Sequence, residues 1–194
     1  MTRTDSLTEA TGIHKLTRSL RYHEASRQWF AVLFVLLVSW LGDTNLTLLY
    51  AGAAVAAVGE LIRMWASGHV KKNKELATNG PYAYVRHPLY VGNILILVGY
   101  SVASNMWWAF VLMAFLLWFY YPPAISYEDN KLEKIFGEQW TEWSQNIHAL
   151  IPTVRSKSGS ANSDWSFEQS LMKNGEPVIA ICLLACLYLL YTNT

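Results

Sequence analysis

Apolar residues along this chain gather into five blocks, approximately Trp29 to Leu41, Leu46 to Trp65, Leu89 to Ala103, Met106 to Ile125 and Val178 to Tyr191. A helix that crosses a bilayer needs roughly 20 apolar residues, with about 17 as the short limit. The second and fourth blocks reach that length. The others need flanking residues, which short spans tolerate where they pack together or the bilayer thins. The pattern predicts an all-α fold: a polytopic membrane bundle of about five transmembrane helices.

Charge sharpens that reading. Of fifteen Lys and Arg residues, five precede the first block (Arg3, Lys15, Arg18, Arg21, Arg27). Five more run from the end of the second block to the start of the third (Arg63, Lys71, Lys72, Lys74, Arg86). The last five lie between the fourth and fifth blocks (Lys131, Lys134, Arg155, Lys157, Lys173). The connections "GDTN" and "SN" carry none. With five spans every basic residue falls on one side, as the positive-inside rule requires. The N-terminus is then cytoplasmic, the C-terminus external, and both long loops face the cytoplasm, as in an inner or plasma membrane protein of a prokaryote.

Composition agrees: 53% of the 194 residues are apolar, 15% are charged and nine are tryptophan, as suits a membrane-embedded domain. A net charge of +1 gives no electrostatic footprint for nucleic acid. Cys182 and Cys186 lack the spacing and accompanying histidines of a zinc site and read as small hydrophobes, so no metal is expected. The first apolar block starts behind a tail holding Asp5, Glu9 and Glu24, unlike a cleavable signal peptide. Residues 153–166, "TVRSKSGSANSDWS", form a polar, Ser-rich linker. The expected organisation is a cytoplasmic tail (1–28), a membrane core (29–152), a linker (153–175) and an additional C-terminal transmembrane helix (176–194).

Within the second block, "AGAAVAAVG" (51–59) places small residues at helical spacing, which lets a neighbouring helix approach closely. The two-residue "SN" connection makes blocks three and four an antiparallel hairpin. Glu60 and Arg63 are three apart and share a helix face. They form either an interfacial ion pair or the polar wall of a site, since ionisable groups at membrane depth usually mark function. Lys71, Lys72 and Lys74 suit lipid headgroups.

Chemistry gathers on the cytoplasmic side. In "GPYAYVRHPLYVGN" (80–93), Pro88 suits the first turn of the third span, with His87 at its cap and Arg86 one residue further out. Tyr82 and Tyr84, with Tyr100, read as an interfacial belt. Arg86, His87 and Tyr90 form a compact group, and a helix N-terminus so equipped is a seat for a carboxylate-bearing ligand.

The stretch "PPAISYEDNKLEKIFGEQWTEWSQNIHALIP" (122–152) adds acids. Pro122 and Pro123 are expected to kink or end the fourth span. Ser126 and Asp129 resemble a capping box for a new helix. Along that helix Leu132, Phe136, Trp140, Trp143, Ile147 and Leu150 make one apolar stripe. Lys131, Glu133, Lys134, Glu138 and Glu142 occupy the other side, so a cytoplasmic amphipathic helix is expected at the membrane surface. One turn back, the stripe reaches Glu128. A carboxylate aimed at the interior calls for a buried cation or hydroxyl as partner.

Together, "ELATNGPYAYVRHPLYVGN" (75–93) and, about forty residues later, "EDNKLEKIFGEQWTEW" (128–143) resemble the isoprenylcysteine carboxyl methyltransferase and phospholipid methyltransferase superfamily. Its pattern combines RHPxY at the start of a span with the paired-acid segment EExxLxxxFGxxYxxY. Here Arg86, His87, Pro88 and Tyr90 match the first part, and Glu128, Leu132, Phe136 and Gly137 the second. Asp129 replaces the second Glu, and Trp140 and Trp143 the tyrosines. The likeness covers roughly residues 60–152.

The resemblance implies S-adenosylmethionine as cofactor and methyl transfer to a lipophilic acceptor that enters laterally from the lipid. It implies that Leu76 to Tyr82, Gly80 included, wrap the adenosine, and that His87, Tyr90, Glu128 and Asp129 enclose the cofactor. Arg86 would support the methionine carboxylate or the acceptor, and Glu128 and Arg86 would be catalytic. Carboxyl-methylating members carry an arginine four residues before the first acid. That position is Ala124 here, which points away from prenylcysteine. Two other readings are an NADPH-dependent sterol-type reductase, which shares a related helical core, and a non-catalytic membrane adaptor or transporter.

Overall fold

The structure, a computed structural model, describes residues 24–70, 75–153 and 165–194. The tail before residue 24, Lys71, Lys72, Lys74 and most of the Ser-rich linker (154–164) lie outside the described residues. So do several of the basic residues that set the expected orientation.

Each apolar block folds as a helix: α1 (Glu24–Leu41), α2 (Leu46–His69), α3 (Pro88–Ala103), α4 (Trp107–Phe136) and, after the short α5 (Glu138–Ser144), α6 (Glu176–Tyr191). Among the described residues there is no strand. Of these helices α2 and α4, with 24 and 30 residues, are long and apolar enough to cross a membrane; the apolar parts of α1, α3 and α6 are shorter. Sixteen residues, the length of α3 and α6, cover about 24 Å. The outward surface is strongly apolar, with Leu33, Trp40, Val111, Trp118, Ile181 and Leu184 all exposed.

Two helices set the frame. α2 and α3 meet at glycines: a Cβ at Gly59 would fall 2.6 Å from the Gly92 carbonyl oxygen, and one at Gly99 would fall 2.5 Å from that of Gly52. Backbone cannot retreat as a side chain can, so the small-residue face of α2 fixes its register against α3. Around this pair α1, α4 and α6 close a core that includes Phe34, Val38, Leu97, Tyr100, Leu116 and Leu190. Asn45 caps α2 by accepting the Leu48 amide at 3.0 Å. Asn105, at φ +56°, turns α3 into α4, and its side-chain amide donates to the Asp43 carbonyl.

Several expectations are corrected. Pro122 and Pro123 do not end the fourth span, since α4 runs through them to Phe136. Each proline removes only its own amide from the ladder, and membrane helices absorb that loss where neighbours re-satisfy the backbone. Ser126 and Asp129 therefore lie inside a helix and form no capping box. The break comes later, at Gly137, whose φ of +53° stops α4 and restarts the chain as α5. The stripe nevertheless faces inward: Trp140 and Ile147 are buried, whereas Lys131, Glu133, Lys134, Glu138 and Glu142 are exposed.

The tyrosine belt is also overturned. Tyr82 and Tyr100 are buried, and Tyr100 donates its hydroxyl to the Leu183 carbonyl of α6; only Tyr84 is exposed. Residues 165–174, expected as linker, are bound to the end of α2. Ser166 N–H donates to the Gly68 carbonyl, Ser170 pairs with Ser67, and Asn174 donates to the Ser67 carbonyl.

Candidate functional site

The site begins with backbone pairing that no periodicity announces. After α5 the chain returns past the start of α3, where Arg86 N–H donates to the His148 carbonyl and His87 N–H to the Ala149 carbonyl. Thr153 then donates its amide and hydroxyl to the Tyr84 carbonyl, at 2.8 and 2.7 Å. Residues 84–87 are thereby pinned as an irregular turn, with Tyr84 in the helical region and His87 outside it, and Pro88 starts α3 immediately after them.

Pinned this way, the side chains meet the C-terminal half of α4. His87 Nε2–H donates to Asp129 Oδ1 at 2.8 Å, and its Nδ1 lies 3.5 Å from Glu128 Oε2. Tyr90, one turn on, donates its hydroxyl to Glu128 Oε1 at 2.6 Å, and Arg86 Nη2 lies 3.3 Å from Asp129 Oδ2. The His87 and Tyr90 rings stack at 5.4 Å, and Tyr121 stands 5.3 Å from Tyr90. Forty residues of separation are closed because α4 outruns its apolar block, carrying Glu128 and Asp129 past the cap of α3.

The electrostatics follow. A neutral imidazole donates from one nitrogen only, yet both nitrogens of His87 face carboxylates. Burial draws the His87 pKa down, but hydrogen bonds and charge from Asp129 and Glu128 outweigh it, leaving the imidazolium favoured above its ordinary range. Burial first, then the charges of Glu128 and Glu176, push the Tyr82 phenol well up, so it stays neutral. At the start of α3 the His87 N–H is taken by Ala149 and Pro88 has none, so the backbone there offers less to an anion than the Arg86 side chain does.

Of the residues singled out from sequence, Arg86, His87, Tyr90, Glu128 and Asp129 come together directly. Leu76, Gly80 and Tyr82 lie in the preceding loop, whose turn Gly80–Ala83 packs on the end of α2. Leu76 and Tyr82 are buried there, and Gly80, at φ +56°, leaves room for the His69 imidazole. Around this cluster Thr78 Oγ1, Arg86 Nε and Trp143 Nε1 are buried donors with no hydrogen-bond partner among the described residues. Thr78 and Arg86 belong to the loop and the cluster; nothing in the sequence pattern marked Thr78. Beside Tyr121, an open apolar cavity of about 460 Å³ lies between Ile94 of α3, Leu117, Pro122 and Ile125 of α4, and Leu150.

A second polar cluster was only half legible. Arg63, on α2 as expected, lies 3.4 Å from Glu60, as the spacing suggested. It also binds Asn93 of α3 and Glu176 of α6, which no local pattern connects.

Comparison with known proteins gives a consistent picture. A model of the family described as phospholipid methyltransferase matches residues 45–139, which include Arg86, His87, Tyr90, Glu128 and Asp129. The chain is 31% identical to the cobalt-zinc-cadmium resistance protein CzcN of Cupriavidus metallidurans over 134 residues, 68% of this chain and 59% of that protein. It is 28% identical to a probable protein-S-isoprenylcysteine O-methyltransferase of Oryza sativa subsp. japonica over 144 residues, 73% of this chain and 72% of that one. Similarity to the nickel-cobalt-cadmium resistance protein NccN of Alcaligenes xylosoxydans xylosoxydans is 30%, covering 69% of this chain and 63% of that protein. The chain thus spans about three fifths of the length of the two resistance proteins. No solved structure matches.

Proposed function

Because the chain belongs to the isoprenylcysteine carboxyl methyltransferase and phospholipid methyltransferase superfamily, we propose that it is an integral membrane enzyme that moves a methyl group from S-adenosylmethionine to a lipophilic acceptor. One observation carries this reading: the arginine, histidine and tyrosine at the start of α3 engage both acids of α4 in a single part-buried cluster. A structural staple would need one such contact, not four ionisable groups and a phenol.

The residues fit the cofactor. Thr78 Oγ1 and Arg86 Nε are buried donors without partners among the described residues, in the two segments that would flank a nucleoside and an amino-acid carboxylate. A polar ligand there would remove a desolvation cost of about 1–3 kcal/mol at each. S-adenosylmethionine, when bound, supplies an electrophilic methyl group on a sulfonium. Arg86 would hold the methionine carboxylate, and Glu128 and Asp129 would face the ammonium. The loop from Leu76 to Tyr82, with Gly80 at its turn, would enclose the adenosine. His87 and Tyr90 would orient the two acids, and the neutral Tyr82 phenol would add no charge. Glu128, with its side chain 34% exposed, is the more accessible acid and would face the reacting groups. Alignment of donor and nucleophile is then the main task of the protein.

The apolar cavity beside Tyr121 would receive the hydrophobic part of the acceptor from the lipid. With Ala124 where an arginine would hold a substrate carboxylate, the reading points away from prenylcysteine. The five apolar helices would all span the membrane, with the site at the cytoplasmic face of a prokaryotic inner membrane, the N-terminus inside and the C-terminus outside. The core would comprise residues 29–152, preceded by a tail (1–28) and followed by a linker (153–175) and a C-terminal helix (176–194).

The test is thermal stabilisation of the full chain in detergent. Saturation to a hundred times the dissociation constant adds about 2.7 kcal/mol to native stability. S-adenosylmethionine or S-adenosylhomocysteine should raise the melting temperature, and NADPH should not. A shift with NADPH alone would favour a reductase, and no shift with the sulfonium pair would overturn the proposal.

A further inference from the structure

Arg63 is bound from three directions at once. Its Nη2 donates to both oxygens of Glu176, at 3.1 and 2.9 Å, its Nη1 donates to Asn93, and its Nε lies 3.4 Å from Glu60. Gly92 makes room for the arginine stem, since a Cβ there would fall 2.5 Å from Arg63 Cγ. Glu176 is only 2% exposed and lies in the first turn of α6, beyond the residues of the family match.

Anchoring α6 does not by itself account for this contact. The segment leading into α6 is already tied to α2 through Trp165, Ser166, Ser170 and Asn174, and α6 itself accepts the Tyr100 hydroxyl. Glu60 alone would neutralise Arg63. The second carboxylate leaves the trio formally negative, with neither Glu60 oxygen hydrogen-bonded among the described residues. Burying an extra charge is a poor route to stability, because desolvation offsets the Coulomb gain. What the extra acid adds is direction: both of its oxygens take Nη2, which leaves Nη1 aimed at Asn93. Asn93 sits one turn after Tyr90 on α3, the helix whose first turn presents His87 and Tyr90 to the α4 acids.

We propose that Glu176 is a positioning residue for the methyl-transfer site: by gripping Arg63 it fixes Asn93, and with it the first turn of α3 that holds His87 and Tyr90 against Asp129 and Glu128. The C-terminal helix, which the family match does not reach, is then part of the working enzyme.

The test uses the full chain in detergent and compares Glu176→Gln with Asn174→Ala, which loosens the same segment without touching Arg63. The first readout is amide hydrogen exchange over residues 84–93 without ligand. The second, which alone rests on the proposed function, is affinity for S-adenosylhomocysteine. Glu176→Gln should speed exchange over 84–93 by about fivefold or more and weaken affinity about tenfold. Asn174→Ala should change exchange only near 165–176 and keep affinity within about twofold. Should Glu176→Gln fail to fold, Glu176→Asp keeps the charge but withdraws it, and the same contrast applies. Unchanged exchange over 84–93, or an equal effect from Asn174→Ala, would overturn the proposal. If the unaltered chain takes up no S-adenosylhomocysteine, the functional reading falls while the exchange comparison still decides the role of Glu176.

Discussion

Replacing Asp129 by Asn keeps the shape of the side chain and removes its charge, which isolates the electrostatic contact at the centre of the site. Asp129 accepts from His87 Nε2 at 2.8 Å and lies 3.3 Å from Arg86. A hydrogen bond to a charged partner contributes about 1.5–3 kcal/mol. The Asp129 side chain is 21% exposed, and solvent screening lowers the expected loss to about 1–2 kcal/mol. For a chain of this length that corresponds to a melting temperature lower by about 2–8 °C. The assay is a double-mutant cycle with His87→Gln, followed by thermal unfolding in detergent.

The sign with pH is fixed by the histidine. Its pKa is raised in the folded protein, because the bonds to Asp129 and Glu128 exceed the effect of burial. The stabilisation is therefore complete below the unfolded value of about 6.5 and disappears as pH climbs through the raised folded value. Arg86 and the Tyr90 hydroxyl are other groups facing this cluster. Coupling between Asp129 and His87 should be largest near about pH 6 and fade at alkaline pH. Additivity of the two substitutions within about 0.5 kcal/mol at the acidic end would refute the contact as an energetic link.

Four further outcomes are expected. Tyr90→Phe removes the 2.6 Å bond to Glu128 and should weaken S-adenosylhomocysteine binding about threefold to tenfold in equilibrium titration. Gly92→Ala drives a methyl into the Arg63 stem and the Gly59 carbonyl, and should lower unfolding free energy by about 1–3 kcal/mol. Gly137→Ala meets no neighbour but must hold φ +53°, so thermal melts should register a loss of about 1–2 kcal/mol from backbone strain alone. Cys182→Ala, at an exposed position, should leave both stability and ligand response within about 0.5 kcal/mol of the parent.

The sequence by itself determined the helices and the ends of the molecule at which chemistry collects. Apolar block length, the small face from Ala51 to Gly59 and the inward stripe from Leu132 to Leu150 are local properties. Any chain conformation that buries them must respect their spacing. The motif residues Arg86, His87, Tyr90, Glu128 and Asp129 were legible for the same reason, since each sits at a fixed offset from a cap or a stripe. Pro122 and Pro123 misled because a proline announces a lost amide without saying whether neighbours compensate, and α4 continued to Phe136. The pairing of Tyr84 to His87 with His148 to Thr153, and the grip of Asn93 and Glu176 on Arg63, belonged to the tertiary structure alone. Both join segments with no shared periodicity, and the second depends on how closely α2 and α3 approach at Gly59 and Gly92. Local preference sets what each segment is; only packing sets which buried charges find one another, because desolvation penalises every arrangement in which they do not.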